Sequence, residues 1–538
     1  WVILALVRRL AVHKCQAPQP TGMSVKVVLI APPIMDLVQG HLQPIAMDAH
    51  RECPPYGIYL LRSALIAGGH DVVLLDLIAE GTCSIEHHRD AVEDAALIGI
   101  GATSMSWPTA LAVINQIRAM RSDVPIVLGG IHPTMFDRYV LTTFPVDYVV
   151  RGEGEAALVA LADAIETGAD CASVPNLTWV AADGTIVRNP LGKLIHKTEL
   201  PSFPTPDYSD LPQDVYLGLS IESSRGCAFD CSFCSTSYRR SYRAMEPEFF
   251  VDRLEQILPS CDRTAMGTVH IIDDEFSMNT RRATMIANHI TERGLDARLI
   301  YDSRANDLLD ESYVAAMAPL TSQFLVGAEC GYDEGLLKIG KGTTCARLEA
   351  AAAMLKKHGI AQRADFSFVL GLPWESMTEV EKTIAFATRL HSLYGVRILL
   401  QWYCQIPGSR LWDAAHDRGD VTEAMYDDFG FFANLYLFRS GVQLSPEQIY
   451  RISERVAGLL TLARAQYPDV RMIEYSFPEP IARYYPRHAM RSDDTGLASL
   501  RQVARPQGEQ HSRGGEPGST QGERIRVGIP LRHFEGVG

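Results

Sequence analysis

The chain has 538 residues, with 64 acidic against 50 basic residues and a formal net charge of −14. Recognition of nucleic-acid phosphates depends on clustered lysine and arginine, so this balance argues against a nucleic-acid-binding surface. The hydrophobic share of 47% and the charged share of 21% are ordinary for a globular protein, and the length suits two or three domains. Eleven cysteines in so long a chain are too sparse for a disulfide scaffold.

The amino terminus is apolar over residues 1–7 and is then interrupted by Arg8 and Arg9. This run is too short to span a membrane, and a signal peptide would place its charges before the apolar run. A strong strand pattern begins just after Met23. We therefore expect residues 1–22 to be an extension outside the fold.

Strand and helix patterns alternate in the first part of the chain. Helices are predicted over 56–67 and 109–120, and strands over 25–30, 71–76, 96–101 and 125–130. This alternation predicts a parallel, doubly wound α/β sheet, whose ligands bind beyond the carboxyl ends of the strands. Small residues follow three strand ends, at 101–104, 129–133 and 149–155. Any one of these glycines is explained by a turn, but together they allow a large flat ligand to approach the backbone.

A connector follows the first domain. Residues 176–181 and 185–187 flank Ala182-Asp183-Gly184, which predicts a β-hairpin. Residues 200–208 are too rich in proline for a helix and predict an extended linker.

Three cysteines, Cys227, Cys231 and Cys234, follow an apolar run over 215–221 that predicts a strand. At this spacing one loop can turn three sulfurs toward a common point, and thiolates of this kind hold iron–sulfur clusters. Three ligands for four irons would leave one iron open. The alternative is structural zinc, which takes four closed ligands; no second C-x2-C or Cys-His pair follows, and Cys261 or Cys330 would have to be brought in by the fold.

Five further strands are predicted after the cysteines, over 267–275, 297–304, 324–329, 364–371 and 398–403. With helices between them, the six strands predict a partial (β/α)6 barrel with function at the carboxyl ends. Residues 420–487 are aromatic and helical, which suggests a cap over the barrel mouth. From Arg491 the composition loses periodicity and predicts disorder.

The cysteine motif, with Arg225-Gly226 before it, resembles the radical S-adenosylmethionine superfamily. The resemblance implies that Cys227, Cys231 and Cys234 hold a 4Fe-4S cluster whose open iron chelates and cleaves S-adenosylmethionine. It places Phe233 near the adenine and Glu329, Arg304, Gly371 and Pro373 at the cosubstrate. Two positions depart from the family pattern: Cys330 replaces the usual Ser, and Trp374 stands where Gly is common. Alternatively, Glu329 is an exposed strand end and Arg304 forms a surface ion pair. The acids at 273–275 either bind substrate or cap a helix.

The small residues of the first domain resemble the cobalamin-binding domain that precedes many radical enzymes, where Gly-Gly-x-His-Pro and Gly-Glu-Gly-Glu recur. The Asp-x-His-x-x-Gly motif of histidine-ligated cobalamin is absent, and Gly69-His70-Asp71 does not fit it. The resemblance therefore implies a lower cobalt face without histidine. The cobalamin contacts that it implies are Thr103, Ser104, Gly129, Gly130, His132, Gly152, Glu153 and Gly154.

These patterns divide the chain into an extension (1–22), a cobalamin-binding domain (23–170), a hairpin and linker (171–212), a radical domain (213–418), a helical cap (419–487) and a disordered tail (488–538). The layout implies transfer of a methyl group from methylcobalamin to an unactivated carbon, or to a phosphinate phosphorus, of a specialised metabolite. The alternatives are a cyclase or rearrangement enzyme of the same layout, a non-catalytic cobalamin sensor, and a zinc-stabilised binding protein. The expected partners are the small substrate and an electron donor such as a flavodoxin or ferredoxin. Because exposed cysteines at this spacing oxidise outside a reducing compartment, we expect a cytoplasmic protein without a membrane partner.

Overall fold

The computed structural model describes residues 24–38, 41–44, 53–236, 238–403, 405–427, 443–445, 447–449, 451–452 and 455–456. The predicted extension 1–22, the tail 488–538 and most of the predicted cap 419–487 lie outside these residues. Within the described part of the chain, no helix is both long enough and apolar enough to cross a bilayer.

The first unit is built on a seven-stranded sheet in the order β4-β1-β5-β6-β7-β8-β9. Its elements in chain order are β1 Lys26–Ala31, β2 Met35–Val38, β3 His41–Pro44, α1 Tyr56–Ala67, β4 Asp71–Asp76, α2 Leu77–Glu80, α3 Arg89–Asp94, β5 Leu97–Gly101, α4 Trp107–Met120, β6 Ile126–Gly129, α5 Ile131–Met135, α6 Asp137–Thr143, β7 Tyr148–Val150, α7 Glu155–Thr167, β8 Leu177–Val180 and β9 Ile186–Arg188. The first five strands in this order, from β4 through β1 to β7, pair in parallel, which confirms the doubly wound sheet.

The strand β1 shows why the sheet is covered on both faces. Val27 and Leu29 pack into one hydrophobic cluster, whereas Val28 and Ile30 pack into a second cluster on the opposite face. Because successive side chains of a strand point to opposite faces, a strand that is apolar at every position needs helices on both sides.

The predicted hairpin forms, but it is part of the first sheet rather than of the connector. Strand β8 pairs antiparallel with β7, and β9 pairs antiparallel with β8. Leu177 and Thr178 are fully buried by this pairing. The hairpin therefore covers the β7 edge, which would otherwise expose unpaired backbone groups.

The second unit is a six-stranded parallel sheet whose strands follow one another in chain order, β10-β13-β14-β15-β16-β17. This is the strand arrangement of a partial (β/α)6 barrel and confirms the prediction. The elements of the unit are β10 Gly218–Ile221, β11 Ser224–Arg225, β12 Arg243–Ala244, α8 Pro247–Ile257, β13 Thr268–Ile271, α9 Thr280–Glu292, β14 Arg298–Ser303, α10 Glu311–Met317, β15 Thr321–Glu329, α11 Asp333–Ile339, α12 Cys345–Lys357, β16 Ala364–Leu370, α13 Met377–Tyr394, β17 Arg397–Trp402 and α14 Arg410–Asp417.

The two units share one hydrophobic core and are joined by polar contacts. The hydroxyls of Tyr59 and Tyr216 both donate to the carboxylate of Asp76, at 2.9 and 2.6 Å. Arg62 on α1 lies 2.6 Å from Asp210 in the linker. These contacts hold the carboxyl ends of the first sheet against the start of the second.

Candidate active site

The three cysteines lie on one loop between β11 and β12, which pair antiparallel and close its base. Cys231 is buried, and Cys227 and Cys234 are partly buried. The backbone N–H of Cys227 donates to the carbonyl of Tyr238 across the loop, at 3.3 Å. Burial raises the pKa of the Cys227 and Cys234 thiols, which disfavours their thiolate forms unless positive charge lies nearby.

The number of thiols on the loop decides which metal group it fits. The loop offers three cysteines, whereas a structural zinc ion takes four closed ligands. Of the two cysteines considered as extra zinc ligands, Cys330 is fully buried and Cys261 packs against the hydrophobic core. The donor set therefore fits a cluster held by three thiolates better than a closed zinc site.

Gly226 sets the entry to the cysteine loop. Its φ is +80°, and a Cβ at this position would lie 2.2 Å from the carbonyl oxygen of Ser241. Only glycine combines the left-handed backbone with this close approach. Steric restriction therefore explains why glycine stands immediately before the first cysteine.

The acids that follow β13 hold the same loop, and only one of them takes the helix-capping role considered from the sequence. Asp273 is buried and accepts from the backbone N–H groups of Ser223 and Ser224, at 2.6 and 2.9 Å. Asp274 accepts from the N–H of Gly226 at 3.0 Å. Glu275 alone caps a helix, through the N–H of Ser277 in a short 3-10 turn at 3.2 Å. Asp273 and Asp274 therefore shape the cluster loop.

Glu329 and Arg304, both predicted at the cosubstrate, meet Lys341, which the sequence analysis missed. Glu329 is buried at the end of β15 with a left-handed φ of 64°, and Lys341 Nζ lies 2.7 Å from its carboxylate. Arg304 donates to the backbone carbonyl of Lys341 and lies over the ring of Phe229, 3.5 Å from its centre. The carbonyl of Gly340 is 3.9 Å from Cys231 Sγ, so this group adjoins the cluster loop.

A left-handed non-glycine residue costs conformational energy and is retained when its surroundings hold it in place. The ion pair with Lys341 holds Glu329 in this left-handed conformation. No sequence motif indicated Lys341, because it follows α11, whereas Glu329 ends the strand before that helix.

Phe233, Gly371 and Pro373 complete the predicted cosubstrate set. Phe233, which lies on the cysteine loop itself, packs against the shared core. The N–H groups of Gly371 and Leu372 donate to Glu375, at 2.8 and 3.1 Å, and this turn carries Pro373.

Glu375 links that turn to the neighbouring strand end. The hydroxyl of Tyr332, three residues beyond Glu329, donates to its carboxylate at 2.9 Å. Burial raises the pKa of Glu375 to about 7, although the hydrogen bonds that its carboxylate accepts act to lower this pKa. The turn after β16 is thereby tied to the segment after β15.

A cavity of about 560 Å³ lies between the two units, beyond the carboxyl ends of β1, β5, β6 and β7. Its apolar wall includes Leu61 and Leu158, from α1 and α7. From the second unit it is lined by residues around the start of the cysteine loop, including Gly226 and Tyr238. Six of the predicted cobalamin contacts line it: Thr103, Gly129, Gly130, Gly152, Glu153 and Gly154.

The other two predicted cobalamin contacts, Ser104 and His132, do not line the cavity. His132 is fully buried, stacks on Trp107 at 4.5 Å and contacts the Ser104 hydroxyl at 3.1 Å. Burial lowers the pKa of His132 to about 3, so the ring is neutral at physiological pH. The backbone turns at Gly130, where φ is +94°, and this turn sends His132 into the core beneath the strand end. The expectation of a contact at the corrin edge is corrected accordingly.

Arg225 joins the two units through buried ion pairs. Its guanidinium lies 2.5 Å from Glu155, 2.7 Å from Glu222 and 3.2 Å from Glu153. Arg243 also binds Glu153, at 2.7 Å. The Gly-Glu-Gly-Glu segment of the first unit and the Arg-Gly pair of the second thus meet at the cavity wall. The sequence showed both motifs but not their contact.

Two family models match the chain: the B12 binding domain over residues 43–162 and the Radical SAM superfamily over residues 221–387. An uncharacterised methyltransferase of Pyrococcus horikoshii is 30% identical over 371 residues, which cover 67% of this chain and 78% of the relative. An anaerobic magnesium-protoporphyrin IX monomethyl ester cyclase of Rubrivivax gelatinosus is 27% identical, with 62% of each chain covered. A hopanoid C-3 methylase of Methylococcus capsulatus is 26% identical, with 57% of this chain and 59% of the relative covered.

Two solved structures share the fold. The radical S-adenosylmethionine methyltransferase TsrM from Kitasatospora setae, with cobalamin and a 4Fe-4S cluster bound, superposes with a TM-score of 0.58 at 21% identity, covering 73% of this chain and 76% of TsrM. The cobalamin-dependent S-adenosylmethionine radical enzyme OxsB, with aqua-cobalamin and S-adenosylmethionine bound, has a TM-score of 0.56 at 17% identity, covering 74% of this chain and 56% of OxsB.

Proposed function

Because the chain belongs to the radical S-adenosylmethionine enzymes that carry a B12-binding domain ahead of the radical domain, we propose that it methylates an unactivated position of a small molecule. The accepting atom is a carbon or a phosphinate phosphorus of a specialised metabolite. Such atoms cannot be activated by a side-chain base, which is why both cofactors are needed.

One observation carries the proposal: a single cavity is walled by the strand ends of the first unit and by the entry to the cysteine loop. When bound, the corrinoid supplies a transferable methyl group, and the cluster with S-adenosylmethionine supplies radical hydrogen abstraction. A substrate between the two cofactors would therefore be within reach of both.

The residues of the chain hold these groups in place. Cys227, Cys231 and Cys234 would bind the cluster, and the glycines beyond β6 and β7 would let the corrinoid approach the backbone. Glu329 offers a carboxylate to the amino group of the cosubstrate, and Arg304 offers positive charge to its carboxylate. His132 is buried away from the cavity, so it does not supply the lower cobalt ligand.

A second candidate is ring formation without methyl transfer, which the similarity to the Rubrivivax cyclase favours. The two reactions differ in the fate of the cosubstrate. Methyl transfer yields S-adenosylhomocysteine from the methyl donor in addition to 5′-deoxyadenosine, whereas ring formation yields only 5′-deoxyadenosine.

The test is anaerobic reconstitution with iron, sulfide and cobalamin, followed by reaction with trideuteromethyl S-adenosylmethionine, a reduced flavodoxin or ferredoxin as electron donor, and a panel of candidate metabolites. We expect a product heavier by one labelled methyl group, with both nucleoside products formed in step with it. Cys227→Ala should form neither the labelled product nor S-adenosylhomocysteine nor 5′-deoxyadenosine. The matched control Cys261→Ala, on a cysteine away from the loop, should form all three.

A product without label, accompanied by 5′-deoxyadenosine alone, would establish the cyclase instead. A fully reconstituted protein that cleaves no S-adenosylmethionine would favour the non-catalytic cobalamin sensor.

A further inference from the structure

We propose that His70, Asp163 and Glu166 form a binding site for one divalent transition-metal ion of the zinc class, in the B12-binding half and separate from the cysteine loop. Each residue offers one ligand atom, and these atoms all lie within 4.8 Å of one another. No part of the radical chemistry uses these side chains.

The backbone brings the three residues together. His70 lies between the end of α1 and the start of β4, and α7 packs against α1. Asp163 and Glu166 are three residues apart on α7, so both carboxylates project from the same face of that helix. The site therefore spans two segments that are far apart in the sequence.

Two of the three side chains are buried without the partners that ordinary packing would provide, whereas the Asp163 side chain is 44% exposed. The His70 side chain is only 1% exposed, and neither ring nitrogen has a hydrogen-bond partner among the described residues. Both carboxylate oxygens of Glu166 are also buried and, in the same described part of the chain, accept no hydrogen bond. Buried polar groups are nearly always paired, because an unpaired one loses its hydration without compensation.

A direct histidine–carboxylate ion pair is the simpler alternative, but the geometry does not fit it well. His70 Nε2 is 3.4 Å from Asp163 Oδ1, without hydrogen-bond geometry. By contrast, the surface pair of His88 and Glu80 closes to 2.9 Å with a hydrogen bond. A cation between the three groups would pair with one imidazole nitrogen and both carboxylates at once.

The donor set indicates the class of ion. One imidazole nitrogen with two carboxylates suits zinc, which accepts nitrogen and oxygen ligands and leaves a fourth position for water. Calcium and magnesium prefer oxygen ligands alone. Bound there, the ion would fasten the turn after α1 to α7, the helix that begins at Glu155 beside Arg225 and the cavity.

The probe is zinc chloride added in equimolar amount to the reconstituted holoenzyme, followed by X-ray absorption at the zinc edge. We expect a shell of nitrogen and oxygen at about 2.0 to 2.1 Å, and a rise of several degrees in the melting temperature of the zinc-treated protein. Zinc captured by cluster cysteines would instead show sulfur at about 2.3 Å, and this result would overturn the proposal.

Variants locate the ion. Glu166→Gln keeps the shape of the side chain and should weaken zinc binding by more than the roughly 10- to 100-fold cost of losing an outer hydrogen-bond partner. His70→Gln should behave in the same way, and the matched control His88→Gln should bind zinc as the parent does. The proposal is also wrong if the parent, folded and carrying its cluster, gains no zinc, or if Glu166→Gln binds it with unchanged affinity.

Discussion

Replacing Arg225 with Met tests whether the ion pairs at the cavity wall hold the two units together. The guanidinium is nine-tenths buried and serves the carboxylates of Glu153, Glu155 and Glu222. Burial alone would lower the pKa of Arg225, but Glu222 and Glu155 raise it above its ordinary value, so the side chain stays charged. Without it, Glu155 and Glu222 have no cationic partner among the described residues.

Removing one partner of a buried ion pair costs about 3 to 5 kcal/mol, because the remaining charge is buried without compensation. A unit of about 200 residues loses roughly 2 to 4 °C of melting temperature per kcal/mol. We therefore expect Arg225→Met to melt about 6 to 20 °C below the parent. It should also bind cobalamin more weakly, since Glu153 and Glu155 line the cavity.

The assay is anaerobic thermal unfolding followed by circular dichroism, together with cobalamin titration by absorbance. Arg89→Met is the matched control, because Arg89 forms an exposed pair with Glu86 at 2.7 Å and its loss should leave both readouts unchanged. In the double variant Arg225→Met with Glu155→Gln, part of the lost stability should return, since one orphaned charge is removed. The reasoning is refuted if Arg225→Met melts with the control, or if the double variant is no more stable than the single one.

Three further outcomes follow from the site. In Gly226→Ala, the new Cβ would meet the Ser241 carbonyl at 2.2 Å, so we expect less iron and sulfide bound per chain, measured after reconstitution. Lys341→Met leaves the Glu329 carboxylate buried without its cation, which should weaken binding of S-adenosylmethionine by tenfold or more, about 1.4 kcal/mol, in equilibrium dialysis. Glu375 has its pKa raised to about 7 by burial, so its contribution to stability is full below its unfolded pKa of about 4.3 and is lost as pH rises through 7. Glu375→Gln should therefore flatten the fall of melting temperature between these pH values, and an unchanged slope would count against this assignment.

Sequence periodicity predicted the bounds of helices and strands well where tertiary contacts favour the same local structure. Helix α1 and strand β4 have the bounds expected from the sequence, 56–67 and 71–76. The position of the connector hairpin was harder to predict, because a hairpin signature shows that two strands pair with each other but not which sheet edge they join. The free edge of β7 decided that, and no local pattern marks an edge as free.

The candidate site shows the same division. Cys227, Cys231 and Cys234 are close in sequence, so their common loop was visible from spacing alone. Lys341 and Asp273 were not assignable in advance, because their partners come from other strands. His132 was misplaced because a left-handed turn at Gly130 redirects its side chain into the core, and sequence spacing carries no information about direction.

The amino-acid sequence alone determined the order of the strands and helices, the two sheets and the chemistry of the cysteine loop, because these depend on contacts within a few residues or on repeating patterns. Only the tertiary structure decided which carboxylates meet Arg225, where the shared cavity lies and which groups are left buried beside His70. Charges and ligands that meet across two sheets are set by how the sheets pack, and packing is a property of surfaces that no single stretch of sequence contains.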